Sequence, residues 1–351
     1  MLIIYYHAKG QDTMPGIITH YLCGLEAIKQ TKSQDIKSIV SRHQSVFNLG
    51  TQGPDFLFYY RAWPWADSEG IPDIGKKLHR KKIKATFSQM LEYLEGQDAP
   101  ERDILSAYLL GFICHYILDV HAHPYVYYKT GFARSEQDDA MKYVYYHRLF
   151  ETTIDVIMLK NTMNLTPHSL NVPEIIKVSE YESKIIAEMF EHVILHVHGD
   201  NVTASQAATA INDMYSIQRR LDDPAGLKRL LISKLEHIKG GYPLISSIIY
   251  PQKTSDNLDY LNLMDYLNLK KGVWRLPWEN SVEYNSSFVE IFNDAVSETL
   301  SIYEHFTLNS GENQNHKRLL ELLGNRSFTT GEDCDLDIEF KYFDCIFETV
   351  R

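Results

Sequence analysis

The chain has 351 residues, of which 44% are hydrophobic and 23% are charged. This composition excludes an intrinsically disordered chain, and the length is sufficient for a substantial core. The net charge of −11 argues against a surface that holds large nucleic acids or anionic lipid by counterion release, although a local metal centre would still attract phosphate.

Cysteine usage and the chain start favour a reducing compartment. Four cysteines are too few for a disulfide scaffold at this length, and Cys23 and Cys114 lie within apolar helical patterns as small core residues. Met1–His7 lacks the basic start and the apolar length of a signal peptide. No run reaches the roughly 18 apolar residues that span a bilayer. We therefore expect a cytoplasmic protein without a transmembrane segment.

The spacing of apolar residues predicts helices through most of the chain. They begin near Pro15 and continue over residues 35–48, 74–94, 100–123, 135–163, 173–197, 203–221, 224–239 and 287–305. A break around several prolines predicts a long loop over residues 242–285. Asp335–Tyr342 alternates polar and apolar residues as a strand does, with Arg326–Thr330 as its hairpin partner.

The fold class that follows is all-α, with a short C-terminal β-hairpin. Residues able to do chemistry concentrate before residue 165. We therefore expect a first helical domain over residues 1–165, a second helical portion over 166–310 packed on it, and a tail over 311–351 that carries a helix and the hairpin.

The segment Gly111–Pro124 is an apolar run that contains four groups able to bind a metal. His115 and Asp119 are four residues apart and share a helix face. Pro124 disfavours helical geometry at His123, so we expect the helix to fray there, with His121 and His123 pointing back at the same space. The alternative is a core histidine, His115, that is paired with Asp119 and binds no metal.

Further groups of the same chemical type lie elsewhere in the first half. His20 lies on the first predicted helix, and Asp55 follows a Gly–Pro turn that fixes its backbone, although a turn or helix cap would explain Asp55 equally well. His79 lies in a basic stretch, and His147 and Glu151 are spaced to share a metal on one helix face.

In chain order, these residues resemble the zinc-dependent phospholipase C family. The likeness covers roughly residues 14–160 and extends more distantly to fungal zinc-dependent nucleases and to the glycosylphosphatidylinositol-specific phospholipase D of animals. It implies an all-helical bundle with a zinc cluster in a cleft. The resemblance assigns one zinc to Asp55, His79, His115 and Asp119, a second to Asp119 and His20, and a third to His123, His147 and Glu151.

The sequence departs from the secreted members of that family at two places. Their processed chains begin with a tryptophan whose amino group and carbonyl bind zinc beside the equivalent of His20. Here thirteen residues precede Met14 and no such tryptophan exists, which leaves His7 as a substitute. The interval from Asp119 to His123 is also shorter, which leaves His121 as an alternative ligand. We therefore expect two or three zinc ions.

The resemblance favours an enzyme, a phospholipase C-like hydrolase in which a zinc-bound water attacks a phospholipid headgroup phosphodiester in line. Asp55 would orient that water or act as its base. One alternative is a phosphoesterase of the same superfamily that acts on nucleotides or single-stranded nucleic acid. Another is a zinc-stabilised binding protein without turnover. The expected partner is a small phosphodiester or phospholipid, and the oligomeric state is left open.

Overall fold

A computed structural model describes residues 16–62, 66–135, 138–251, 264–307 and 313–348, with the side chains of 313–315 left out. Within these ranges the chain is helical apart from one two-stranded sheet. The predicted all-α fold with a small β-hairpin is therefore confirmed. The predicted first turn at Pro15, the expected role of His7 and the extension before Met14 lie outside the described residues.

The helices and strands have these bounds: α1 Ile17–Gln30, α2 Gln34–Arg42, α3 Gln44–Gly50, a 3₁₀-helix Asp55–Tyr59, α4 Ile71–Arg80, α5 Ile83–Glu95, α6 Glu101–Thr130, α7 Ala140–Met163, α8 Pro167–Leu170, α9 Val172–Ile175, α10 Glu180–Val193 with a π-helical turn Ile194–His198, α11 Ala204–Leu221, α12 Leu227–Ile238, a 3₁₀-helix Ser246–Ile248, β1 Trp274–Leu276, β2 Glu279–Tyr284, α13 Phe288–Tyr303 and α14 Asn313–Leu323.

Helix α6 is the centre of the fold. It contacts α1, α2, α3, α5, α7, α10 and α13. Among the described residues it is the one helix with the length and hydropathy to cross a membrane, but 94% of its most apolar stretch is buried inside the protein. Such burial is typical of the core helix of a globular protein.

The predicted end of this helix at His123 was wrong. Helix α6 passes through Pro124 and ends at Gly131, whose φ is 76°. Proline cannot donate a hydrogen bond to the carbonyl of Val120. Gly331 of the C-terminal segment lies against that carbonyl, so closely that a Cβ at position 331 would come within 2.7 Å of it. Burial of nearly all of Pro124–Thr130 stabilises the last turns despite the proline.

Three predicted helices are each divided in the structure. The helix expected over 173–197 is interrupted after α9, and α10 begins at Glu180. The helix expected over 35–48 breaks at His43 into α2 and α3, and the helix expected over 74–94 breaks into α4 and α5 at Lys82, which has a φ of 56°. The left-handed backbone of Lys82 separates α4 from α5, but it leaves the spacing of the apolar residues unchanged. The apolar periodicity therefore could not reveal this break. The helix expected from residue 135 begins at Ala140, whereas α11 and α13 begin directly after the side-chain caps Thr203 and Ser287.

The hairpin lies in a different place from the prediction. Strands β1 and β2 pair antiparallel within the region expected to be a loop. The segment 335–342 forms no strand. Lys341 and Tyr342 donate to the carbonyl of Pro277 in the hairpin turn, and Asp344 and Ile346 donate to those of Tyr128 and Lys129 at the end of α6. The predicted strand over 335–342 was therefore wrong, because alternation does not identify a pairing partner.

A glycine contact sets the close approach of α3 to α6. A Cβ on Gly111 would lie 2.2 Å from the carbonyl oxygen of Phe47, and a Cβ on Gly50 would lie 2.2 Å from that of Tyr108. The two backbones therefore touch directly at this crossing, and only glycine fits between them.

We predict that Gly111→Ala lowers the free energy of unfolding by about 1–3 kcal/mol or more, because the added methyl forces the two helices apart. Chemical denaturation measures this change. Gly96→Ala is the matched control, since its Cβ would meet its nearest neighbour at 3.5 Å, and it should leave stability unchanged or slightly raised. Equal denaturation midpoints for Gly111→Ala and the parent protein would contradict the contact.

Candidate metal centre

Five elements bring the eight residues singled out in the sequence into one cluster. The contributing elements are α1, the first 3₁₀-helix, α4, α6 and α7. Seven of the eight side chains are buried and His123 is partly exposed. They are His20, Asp55, His79, His115, Asp119, His123, His147 and Glu151.

The first group of this cluster contains His20, His115 and Asp119. The two oxygens of the Asp119 carboxylate face different rings: Oδ1 lies 3.2 Å from His20 Nε2 and Oδ2 lies 3.2 Å from His115 Nε2. The two rings also contact each other, with centroids 4.3 Å apart. One carboxylate on α6 therefore joins a ring on its own helix to a ring on α1.

The second group shares His115 and adds two residues from the segment after α3. Asp55 Oδ1 lies 2.9 Å from His79 Nε2 and 3.9 Å from His115 Nε2. Asp55 opens the 3₁₀-helix, so its carboxylate position is set by a short rigid turn. The Gly–Pro–Asp turn recognised in the sequence therefore aims its acid into the cluster.

The third group joins α6 to α7. Glu151 Oε1 lies 3.0 Å from His147 Nε2 and 3.7 Å from His123 Nε2. His123 Nδ1 lies 3.7 Å from Asp119 Oδ1, so this group is continuous with the first. The helical spacing of His147 and Glu151 accounts for their shared face.

The donor set fits a divalent metal such as zinc. In each group the three potential ligand atoms lie within 4.8 Å of one another. Two ligands of a tetrahedral zinc are about 3.3 Å apart, given ligand distances of about 2.0–2.2 Å. Five buried atoms of the cluster residues make no hydrogen bond of normal geometry in the described part of the chain, although Asp55 Oδ1 lies 2.9 Å from His79 Nε2 and His115 Nε2 lies 3.2 Å from Asp119 Oδ2. Leaving such atoms unsatisfied would be costly without a cation. They are His20 Nδ1, Asp55 Oδ1, His115 Nε2, Asp119 Oδ2 and Glu151 Oε2.

Backbone carbonyls orient His79 and His115, as the Phe328 carbonyl does His123. His79 Nδ1 lies 2.7 Å from the carbonyl oxygen of Gly75, and His115 Nδ1 lies 3.2 Å from that of Thr51. Because a carbonyl oxygen accepts hydrogen bonds and cannot donate them, each Nδ1 carries the proton. In the neutral ring Nε2 then has a free lone pair directed at the cluster, as metal binding requires.

His121 points away from the cluster. Its Nε2 lies 2.6 Å from Glu298 Oε2 on α13, and Glu298 also pairs with Arg326. Because α6 continues as a helix through Pro124, His121 and His123 face different directions. The structure therefore brings His123 to the other ligands and leaves His121 in an ion-pair network outside them.

Two residues position the cluster histidines, and the sequence assigned this role to neither of them. Asp155 accepts hydrogen bonds from the backbone nitrogens of Ile18 and Thr19, at 3.0 and 2.7 Å, and so holds the start of the helix that carries His20. Phe328 accepts a hydrogen bond at 2.8 Å from His123 Nδ1, and its ring centroid is 4.8 Å from that of His79. Asp155 had a visible signal in its four-residue step from Glu151, whereas Phe328 had none.

Neighbouring histidines keep Asp119 and Glu151 ionised, because they lower the pKa of each carboxyl group. Burial would raise the pKa of Asp119, but His123, His115 and His20 hold that pKa well below its usual value. Burial lowers the pKa of His115. Burial also opposes protonation of His123, yet Asp119 and Glu151 outweigh it and raise the pKa of His123 to about 9. Without metal, protons on imidazole compensate the buried carboxylates.

We predict that His123→Ala weakens zinc binding by about tenfold or more, because it removes a ligand that faces Glu151. His121→Ala is the matched control two positions earlier on the same helix, and its zinc affinity should stay within about twofold of the parent value. Competition with a chromogenic chelator measures the affinities, and metal analysis measures the bound zinc. The reverse order of effects would assign the ligand to His121.

We also predict that the stabilisation of the protein by zinc grows as the pH rises. The pKa of His123 is raised from 6.5 to about 9 on folding, so protonated His123 stabilises the metal-free protein fully below pH 6.5 and this contribution disappears as the pH rises through 9. Zinc replaces that proton, so the gain in Tm on adding zinc should grow across this window. Thermal unfolding with chelator or with zinc tests this. A gain that shrinks with rising pH would contradict it.

Comparison with known proteins agrees with this geometry. The family model described as zinc dependent phospholipase C matches residues 19–214, which is more than half of the chain and includes all eight clustered residues. The match extends past residue 165 through most of α11, so the family region is longer than the sequence resemblance indicated. Searches of curated proteins and of solved structures found no match. The chain belongs to the zinc-dependent phospholipase C family.

Proposed function

We propose that this protein is a zinc-dependent phosphodiester hydrolase that cleaves the headgroup phosphodiester of a phospholipid. The observation that carries the proposal is the continuity of the three ligand groups. Asp119 lies 3.2 Å from both His20 and His115 and 3.7 Å from His123, so one carboxylate connects them all. Multi-metal sites of this kind suit phosphoester hydrolysis.

Bound zinc ions in such a cluster lower the pKa of a coordinated water to about 7 and offset the negative charge of the phosphoryl oxygens. The protein's own residues set the geometry. Asp119 keeps rings from α1 and α6 in one array, and Glu151 does the same for α6 and α7. We assign Asp55 the role of orienting the attacking water or accepting its proton, because its buried Oδ1 lies 2.9 Å from His79 Nε2 and 3.9 Å from His115 Nε2, inside the second group.

A small cavity lies between the first and third groups. Its volume is about 30 Å³, and its lining includes His20, Asp119, His123 and Glu151. This volume is sufficient for a water molecule between polar groups. In the reaction a water adds to phosphorus, the phosphorus–oxygen bond to glycerol breaks, and a proton passes to the leaving alkoxide. The cavity has room for a water beside Asp119 and Glu151. Asp55 does not line it, so the attacking water that we assign to Asp55 would lie at the second group, beside His79 and His115.

The choice of a phospholipid over nucleic acid is supported by membership of the zinc-dependent phospholipase C family and by the net charge of −11, which disfavours long polyanions. The experiment compares hydrolysis of short-chain phosphatidylcholine, single-stranded DNA and a generic aryl phosphodiester. Each is measured with zinc and with chelator. Zinc-dependent turnover of the phosphatidylcholine alone supports the proposal. Preferential cleavage of DNA would make the protein a nuclease, and stoichiometric zinc without turnover would make it a binding protein.

We predict that Asp119→Asn lowers kcat/KM by about 10²–10³-fold or more, because it removes the charge that joins the ligand groups. Phe58→Leu is the control beside the same site. The Phe58 ring stacks on His79 with centroids 5.4 Å apart, and its loss should cost less than about tenfold, since it changes packing without changing charge. Steady-state kinetics on short-chain phosphatidylcholine measure both variants. Similar losses in the two would remove Asp119 from its proposed role.

A further inference from the structure

Helix α12 presents its apolar face to solvent. Five apolar residues follow helical spacing along one side, and between 44% and 81% of each is exposed. No residue of α12 is buried. In a globular protein this stripe normally faces the core, so its outward direction needs an explanation. The apolar face consists of Leu227, Leu230, Leu231, Leu235 and Ile238.

The inner side of α12 is polar and firmly attached. The Glu236 carboxylate accepts hydrogen bonds from the backbone nitrogens of Ile245 and Ser246, at 2.7 and 3.1 Å, and from the Ser246 hydroxyl at 2.7 Å. The backbone nitrogen of Arg229 donates to Asp223 Oδ2 at 2.9 Å. These hydrogen bonds hold the polar side of α12 against the protein, and they therefore fix the apolar side toward solvent.

The charge around the stripe is opposite to that of the whole protein. Residues 227–239 contain four basic side chains and one carboxylate, Glu236, which is already engaged with backbone donors. The chain as a whole carries −11. An exposed apolar stripe bordered by lysine and arginine is the pattern of a helix that lies in the headgroup region of an anionic bilayer. The basic residues are Lys228, Arg229, Lys234 and Lys239.

One short segment connects α12 to a helix that bears the ligand cluster. The segment that Glu236 holds continues to Tyr250, whose hydroxyl donates to Asp155 at 2.6 Å. Within the same segment, the Leu244 carbonyl accepts a hydrogen bond from Arg148 at 3.3 Å. Arg148 and Asp155 lie on α7 on either side of Glu151. The exposed apolar face is therefore connected through one short segment to the helix that carries Glu151.

We propose that α12 docks the protein on a lipid bilayer that contains anionic lipid, with the apolar stripe inserted among the headgroups. This inference rests on the proposed function for what the docking delivers, a phosphodiester held in a bilayer, whereas binding itself requires no hydrolysis. The bilayer is favoured over a second copy of the chain. Two α12 helices packed face to face would bring their flanking lysines together, and a helix about 18 Å long is short for the roughly 800 Å² per partner of a stable dimer.

The test measures co-sedimentation of the full-length, zinc-loaded protein with vesicles of phosphatidylcholine, with and without phosphatidylserine. We expect binding to the mixed vesicles that weakens with salt. The double variant Leu230→Glu, Leu231→Glu should bind at least about tenfold more weakly. The control Leu269→Glu changes a leucine that is 62% exposed outside α12, and it should bind as the parent does. Lys234→Ala with Lys239→Ala should weaken binding to mixed vesicles more than to phosphatidylcholine alone, whereas Lys228 is left unchanged because its ammonium group donates to the carbonyls of Arg220 and Asp222.

Two further measurements separate this inference from the proposed function. Hydrolysis of a water-soluble short-chain phosphatidylcholine should be unchanged in the α12 variants, while hydrolysis in vesicles falls with binding. If the parent protein binds vesicles but hydrolyses nothing, docking stands and the proposed function fails. Absence of vesicle binding by the parent, or equal binding by the double variant, would overturn docking. So would a dimer in light scattering that the double variant dissociates, because the face would then belong to a second copy.

Discussion

The buried carboxylate of Asp119 is the constraint on which the rest of the structure depends. Only 2% of this residue is exposed, and burying an ionised acid without compensation costs several kcal/mol. Imidazoles from His20, His115 and His123 provide the compensation within 3.7 Å. Helices α1 and α6 must therefore pack so that His20 and Asp119 come into contact. Protons or metal ions between these side chains must balance the buried negative charge. The packing of these helices and the composition of the site both follow from the need to compensate one buried negative charge.

Close backbone packing holds that arrangement in place. Glycines at the crossing of α3 and α6 let the Thr51 carbonyl reach His115 Nδ1. Gly53, at a φ of 53°, lies so near this ring that a Cβ would come within 2.2 Å of it. The ring has no room to turn, and its Nε2 stays directed at the acids. Precise ligand geometry here comes from main-chain contact more than from the ligands themselves.

The sequence predicted the parts of the site that depend on local spacing. Four-residue steps placed His115 beside Asp119 and His147 beside Glu151, and the order of motifs identified the family. The sequence did not predict contacts between segments that are far apart along the chain. Phe328 reaches His123 across 205 residues, and no local pattern signals such a contact. The helical course through Pro124 was also missed, because the packing that stabilises it comes from residue 331 and from tertiary burial.

Helix α7 connects the candidate metal centre to the segment that holds α12. His147 and Glu151 on one side of it face the cluster, while Arg148 on the adjoining side donates to the segment that leads from α12. Burial lowers the pKa of Arg148 to about 10, yet at neutral pH it remains charged and keeps this bond. Net charge is an average over the whole surface, whereas screening limits each exposed charge to about 8–10 Å. A chain with a negative net charge can therefore carry a basic, apolar helix. The charges of that helix act only on groups within about 8–10 Å, so acidic residues elsewhere on the surface do not cancel them.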